Sequence, residues 1–263
     1  MLNQGSTYLY RLLFVLVTAI GFISFALGAM VLSVCVLLLR LLIRQRETRI
    51  CWNRYLVSRG FALLVTYIRL AGRVDIQWNN WKSLAKDMEH GGVLIANHPS
   101  LIDVVIMIAR MPRANCIVKK SLWTNPFVGV LVRACGFIPN DGRPEMLDEC
   151  RQAVAQGEVI IIYPEGSRTS DTKTMTLSRG AANIAIMADV PVLLLTIQRT
   201  TPFLTKEVHW YRLPSEAPGF LLSYEGKWEL EPYRTLPRAK AARQLTEDWL
   251  NFFTDRGDKW DKN

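Results

Sequence analysis

Hydrophobic and polar positions follow two regimes along this chain. From residue 12 to residue 39 no charged side chain interrupts the sequence; as a helix this run would extend about 42 Å at ~1.5 Å per residue. That exceeds the roughly 30 Å of bilayer hydrocarbon. The pattern predicts a retained membrane anchor, its excess length absorbed by tilt or by a break near Gly21 or Gly28 that folds the run into a re-entrant hairpin. A cleaved signal peptide is the competing reading, but its apolar core would be only about 7–15 residues long. Residues 52–70 then place Trp52, Leu56, Leu63, Tyr67 and Leu70 at helical spacing, with Arg54, Ser58 and Arg69 on the opposite face. Such a helix either lies along a membrane surface or packs on the globular part.

Beyond Arg73 the apolar runs become short. Residues 74–78, 93–96, 116–118, 159–163 and 192–197 read as strands, several of them continuously apolar as expected of strands covered on both faces. Between them, 101–110, 126–133, 145–156 and 178–188 read as helices. This alternation predicts an α/β fold with a mostly parallel or mixed sheet flanked by helices, preceded by the membrane-anchoring helical segment. The division expected is anchoring and interfacial helices over 1–72 and a globular domain over 73–263. Weaker β-like pieces fall near 208–213 and 220–224, and a last helix opens at Pro237 and buries Ala242, Leu245, Trp249 and Phe252.

With half of its 263 residues apolar, the chain is not disordered. Its net charge of +9 points to polyanionic partners: nucleic acid, anionic lipid or a phosphorylated substrate. The placement of the arginines favours lipid. Arg40, Arg44, Arg46 and Arg49 follow the apolar run while Arg11 alone precedes it, which places the rest of the chain on the cytoplasmic side. Five cysteines without a Cys-x-x-Cys argue against a disulfide framework or a zinc ribbon.

Three polar clusters follow three of the strands: Asn97-His98-Pro99-Ser100-Leu101-Ile102-Asp103, Lys119-Lys120-Ser121-Leu122, and Pro164-Glu165-Gly166-Ser167-Arg168. In an open α/β sheet of parallel strands all three share the carboxyl edge, where ligands gather. If His98 sits in a turn and Asp103 reaches back from the first turns of a helix, the carboxylate can accept the imidazole Nδ1–H. Nε2 is then left to take a proton. The plainer alternative is that His98 caps an element and Asp103 satisfies a backbone donor. Arg168 offers a planar fork to a phosphate, with Lys119 and Lys120 adding positive potential; alternatively Glu165 and Arg168 form a structural ion pair.

These residues resemble the blocks of the glycerolipid acyltransferase superfamily, typified by 1-acyl-sn-glycerol-3-phosphate acyltransferases. Asn97-His98-x4-Asp103 is similar to the first block. Lys119-Lys120-Ser121-Leu122 with Pro126-Phe127 is similar to the second, Glu165-Gly166-Ser167-Arg168 to the Glu-Gly-Thr-Arg block, and Val190-Pro191-Val192 to the last. The resemblance implies a membrane-bound O-acyltransferase of phospholipid biosynthesis in which His98 and Asp103 are catalytic. By it, Asn97, Lys119, Glu165, Gly166, Ser167 and Arg168 bind the substrate, and Lys119 and Arg168 hold the acceptor's phosphate. It implies an acyl-CoA or acyl carrier protein thioester as co-substrate, membrane lipids as partners, and neither cofactor, metal nor nucleic acid. The second block usually ends in an arginine shortly after Gly136-Phe137-Ile138; here Pro139-Asn140-Asp141-Gly142 intervenes before Arg143. Either Arg143 substitutes through a shifted turn, or the acceptor is not lysophosphatidate but another lysophospholipid, an ornithine-type lipid or a polyene lipid.

Other chemistries lack their signatures. The chain has no Gly-x-Ser-x-Gly elbow, no phosphate-binding loop ending in Gly-Lys-Ser/Thr, no Gly-x-Gly-x-x-Gly and no His-Glu-x-x-His. A Cys116 nucleophile paired with His98, and a non-catalytic membrane lipid-binding protein, remain as rivals.

Overall fold

The computed structural model describes residues 4–169, 174–189 and 192–260. Two helices open the chain, α1 (Gln4–Leu42) and α2 (Arg46–Leu70), joined by a short turn. Arg49 closes that turn by donating from Nη1 to the carbonyls of Ile43, at 2.9 Å, and Arg44, at 3.4 Å. No break occurs at Gly21 or Gly28: α1 runs continuously through both, and the reversal falls after Leu42 instead. The helices pack closely because glycine permits it; a Cβ on Gly60 would lie 2.9 Å from Leu32 Cδ1. Tyr67 Oη donates to the Val17 carbonyl at 2.8 Å. Tyr8–Leu42 is the one described helix long and apolar enough to cross a membrane, with a mean hydropathy of 2.6 and most of its surface exposed.

The α/β part then alternates β1 (Asp75–Asn79), α3 (Trp81–Asp87), β2 (Gly92–Ala96), α4 (Asp103–Arg110), β3 (Asn115–Lys119), α5 (Lys120–Trp123), α6 (Gly129–Ala134), β4 (Ile138–Asn140), α7 (Glu145–Ala155), β5 (Val159–Ile162), α8 (Arg179–Ala188), β6 (Val192–Arg199), β7 (Gly219–Trp228) and α9 (Arg238–Trp260). Its seven strands form one mixed sheet in the order β1-β7-β6-β2-β5-β3-β4. All neighbours are parallel except β6 and β7. Alternate side chains of the central strands feed two cores. Leu94, Ile161, Leu193 and Leu195 meet Val57, Ile106 and Leu131 on the side of α2, α4 and α6. Val93, Ile95, Ile160 and Leu194 meet Ala182, Leu245 and Trp249 on the side of α8 and α9.

Three elements depart from expectation. The segment near 208–213 forms turns rather than a strand, whereas the piece near 220–224 lies within the ten-residue β7. Strand β4 is only Ile138–Asn140, too short to show an alternation. The third departure is the orientation of α2. Asn53, Arg54 and Ser58 are buried while Trp52, Leu63 and Leu70 are exposed, so the amino-terminal part of the polar face is turned inward, whereas Arg69 on that face stays exposed. Helix ends explain this inversion, because their last carbonyls need donors. Ser58 Oγ donates to Ala109 O at 3.2 Å and Asn53 Nδ2 to Ala134 O at 2.8 Å. Arg54 Nε donates to Cys135 O at 2.8 Å, and its guanidinium grips Glu158 through both carboxylate oxygens, at 2.9 and 3.2 Å.

Candidate active site

His98 and Asp103 meet because β2 ends at Ala96 and the chain turns through 97–102 before α4 begins at Asp103. His98 Nδ1 lies 3.1 Å from Asp103 Oδ2. The same oxygen accepts the Ser100 backbone N–H at 2.7 Å. Asp103 is fully buried and His98 16 % exposed, so the carboxylate is hidden while the imidazole reaches the surface. Burial raises the Asp103 pKa, opposed by the hydrogen bond and charge of His98 and by the charge of Arg199. In its ionised form Asp103 only accepts, which fixes the proton of neutral His98 on Nδ1 and leaves Nε2 as the acceptor.

Three loops at the carboxyl edge of the parallel strands hold this pair. From the loop after β5, Glu165 Oε1 accepts the His98 backbone N–H at 3.0 Å, and the Thr169 N–H donates to the His98 carbonyl at 3.0 Å. Desolvation pushes the Glu165 carboxyl up to about 7, against hydrogen bonds from Thr169 and His98 that favour its charged form. Gly166 closes the turn, its N–H 3.1 Å from the Tyr163 carbonyl and its φ of +66° in the region glycine adopts without a Cβ penalty. From the loop after β6, the Phe203 carbonyl accepts Ser100 Oγ–H at 2.9 Å, and the Leu204 carbonyl accepts the Leu101 N–H at 3.0 Å. Arg168 Nη1 also donates to that loop, at 3.1 Å from Leu204 O and 3.4 Å from Thr205 O.

The other expected residues divide between this centre and its rim. Asn97, expected to touch substrate, extends the β2–β6 pairing. Its Nδ2 donates to Ile197 O at 2.9 Å and its Oδ1 accepts the Ile197 N–H at 2.6 Å. Glu165 and Arg168 do not pair with each other in any described contact; each fastens backbone instead. Ser167 is half-buried beside Arg168. Lys119 is exposed at the end of β3, on the same edge but separated from β2 by β5. Arg143 pairs with Asp141, and with Glu149 at 3.4 Å, beyond the end of β4. Val190 and Pro191 of the last block lie outside the described residues.

Two parts of the site escaped the sequence reading. One is the 203–205 stretch, which carries no unusual residue and contributes carbonyls; its only signal was its place after a strand of the same sheet. The other is Tyr163, whose ring stacks on His98 with centroids 4.3 Å apart. The structure also weighs against a Cys116 nucleophile, since burial pushes that thiol up to about 12, far from a usable thiolate.

Comparison with known proteins finds acyltransferases. The acyltransferase family model aligns with residues 75–198, the segment from β1 into β6. Among curated relatives, the chloroplastic 1-acyl-sn-glycerol-3-phosphate acyltransferase BAT2 of Brassica napus is 27 % identical over 113 residues, covering 41 % of this chain and 33 % of that protein. A 1-acyl-sn-glycerol-3-phosphate acyltransferase of Helicobacter pylori is 32 % identical over 100 residues, covering 35 % of this chain and 42 % of its own. The matched part of the chain thus spans about a third of the length of the first of these relatives. The fold matches the crystal structure of the 1-acyl-sn-glycerophosphate acyltransferase PlsC from Thermotoga maritima with a TM-score of 0.63. That match has 19 % identity and covers 93 % of this chain and 96 % of the other.

Proposed function

We propose that this protein transfers a fatty acyl group from a thioester donor to the hydroxyl of a lysophosphatidate-like lipid. The observation that carries this reading is the buried Asp103 carboxylate behind a partly exposed His98 ring at the carboxyl edge of the sheet. His98 Nε2 takes the proton of the acceptor hydroxyl as its oxygen attacks the thioester carbonyl. The C–S bond of the resulting tetrahedral species then breaks, and the imidazolium returns the proton to the leaving thiolate. One ester and one thiol result, with no acyl-enzyme. Asp103 stabilises the imidazolium that exists between the two steps. Arg168, held at the rim by two carbonyls, and Lys119 supply the charge that a phosphate would meet.

A bilayer location supports the same reading. The ring of Phe14 on α1 meets that of Phe203 at 6.3 Å, and the Phe203 carbonyl accepts Ser100 Oγ–H in the His98 loop. Phe203 thus links the apolar anchor to the loop that carries the base. An acceptor dissolved in the membrane arrives at this edge without crossing water, which is catalysis by proximity. The arginines that follow α1 favour the cytoplasmic side for the domain, where acyl-CoA and acyl carrier protein are found. Both donors are acidic, as a basic chain favours.

The test is acyl transfer by the purified protein in mixed micelles. A panel of lysophosphatidate, other lysophospholipids, ornithine-type and polyene lipid acceptors is offered with acyl-CoA and with acyl carrier protein thioesters. Esterification of lysophosphatidate above the other acceptors supports the reading. Turnover of a different lipid moves the acceptor assignment, and lipid binding without any turnover refutes the enzyme.

A further inference from the structure

We propose that Tyr163 is a positioning residue that holds the His98 imidazole in its reactive orientation and attracts its protonated form through the face of its own ring. This rests on the acyl-transfer reading. Tyr163 directly follows β5, next to β2 in the sheet, so its side chain emerges beside His98. The two rings lie 29° from parallel with centroids 4.3 Å apart, an offset stack.

A stack alone would leave the tyrosine free to slide. Its hydroxyl prevents this by donating to Met107 Sδ at 3.0 Å. Met107 and Asp103 are four residues apart on α4 and therefore occupy one helical face. A single turn of α4 thus sets both restraints on the imidazole: Asp103 holds it in its own plane through Nδ1, and Met107 holds the ring that covers its face.

The ring face has an electrostatic consequence. An aromatic quadrupole attracts a cation within ~6 Å of its centroid. His98 becomes that cation once it has taken the acceptor's proton. Tyr163 therefore lowers the energy of the charge formed during attack and adds nothing to the binding of the lipid. Burial holds the Tyr163 phenol neutral, its pKa pushed well above the ordinary value, with the charges of Asp103, Cys116 and Glu165 adding to that shift. The ionisable groups around the imidazole are Asp103, on which the charge of Arg199 acts, Glu165 and Tyr163, with Cys116 beyond the tyrosine.

The experiment compares Tyr163→Phe, Tyr163→Leu and a series of progressively fluorinated phenylalanines at position 163. Phe keeps the stack but loses the Met107 anchor, and is expected to lower kcat about threefold, less than Leu does. Leu is expected to lower kcat about 10- to 100-fold with the acceptor KM unchanged, the cost of a misplaced base. Fluorination keeps the shape but drains the ring face. The acid limb of the kcat/KM profile should move stepwise to lower pH, by about half a unit in all, because the imidazolium loses its attraction. NMR titration of the His98 ring signals in the same series reads this coupling without substrate.

A Leu variant with wild-type kcat, or a fluorinated series with an unmoved titration, overturns the proposal. Because fluorinated rings fit the native site, the proposal stays testable if the Leu variant fails to fold. A titration that shifts in a protein with no acyl transfer upholds the coupling and sinks the acyl-transfer reading instead.

Discussion

Asp103 Oδ2 lies 3.1 Å from His98 Nδ1 and receives the Ser100 N–H at 2.7 Å, so one oxygen orients the base and ties down the turn that carries it. Mutation separates its charge from its hydrogen bonds. In Asp103→Asn an amide oxygen in the Oδ2 position still accepts from Ser100 and faces Nδ1, but the negative charge that stabilises the imidazolium is gone. We expect kcat to fall by about 10³- to 10⁴-fold with the circular dichroism spectrum and acceptor KM nearly unchanged. A parallel loss of secondary structure would mean that the pair only stabilises the fold.

Glu165 makes stability depend on pH. Its pKa is raised from 4.5 to about 7, mainly by burial, so the folded protein binds a proton there more tightly than the unfolded chain does. The stability it contributes is complete below about pH 4.5 and lost as pH rises through about 7, up to about 3 kcal/mol for a shift of this size. Asp103, also raised by burial, slopes in the same direction, so the wild type must be compared with Glu165→Gln. Gln keeps the acceptor for the His98 N–H and cannot ionise. The variant should melt higher than wild type at pH 8, with the difference vanishing near pH 4.5. Identical melting curves across this range would refute the argument.

Arg54 and Glu158 stand at the amino ends of β3 and β5, the edge opposite His98, with Asn115 Nδ2 also donating to Glu158 at 2.8 Å. Arg54→Met removes a buried guanidinium and leaves a half-buried carboxylate without its ion-pair partner. It should cost about 3 kcal/mol, the lower end for breaking such a pair. Adding Glu158→Leu should recover part of that loss. Denaturant unfolding in detergent measures both, and acyl transfer under folded conditions should be unaffected. An equal loss of kcat in the folded single variant would show that α2 shapes the active edge as well.

The sheet and the His98 centre were legible in the sequence because they depend on local signals: short apolar runs and polar residues at the ends of strands. Asn97, Glu165 and Arg168 stood out as candidate site residues, but the backbone contacts they make across loops did not: Asn97 to Ile197, Glu165 to His98, Arg168 to Leu204. A spacing shows neither which carbonyl a side chain meets nor that the 203–205 loop closes the site. The inversion of α2 has the same origin. Periodicity sorts Arg54 and Ser58 onto a polar face, but the helix-end carbonyls of Ala109 and Cys135, far away in the chain, decide that these two side chains turn inward. Tyr163 looked like the last apolar residue of a strand, and only its packing on His98 gives it a chemical setting.

The most direct measurement is single-turnover acyl transfer by His98→Ala in the membrane-bound protein, with lysophosphatidate and acyl-CoA at saturation. If His98 is the base, the rate falls by at least about 10³-fold while lysophosphatidate still binds, because deprotonation of the hydroxyl has lost its acceptor. Acyl transfer within tenfold of wild type in the folded variant would contradict the account.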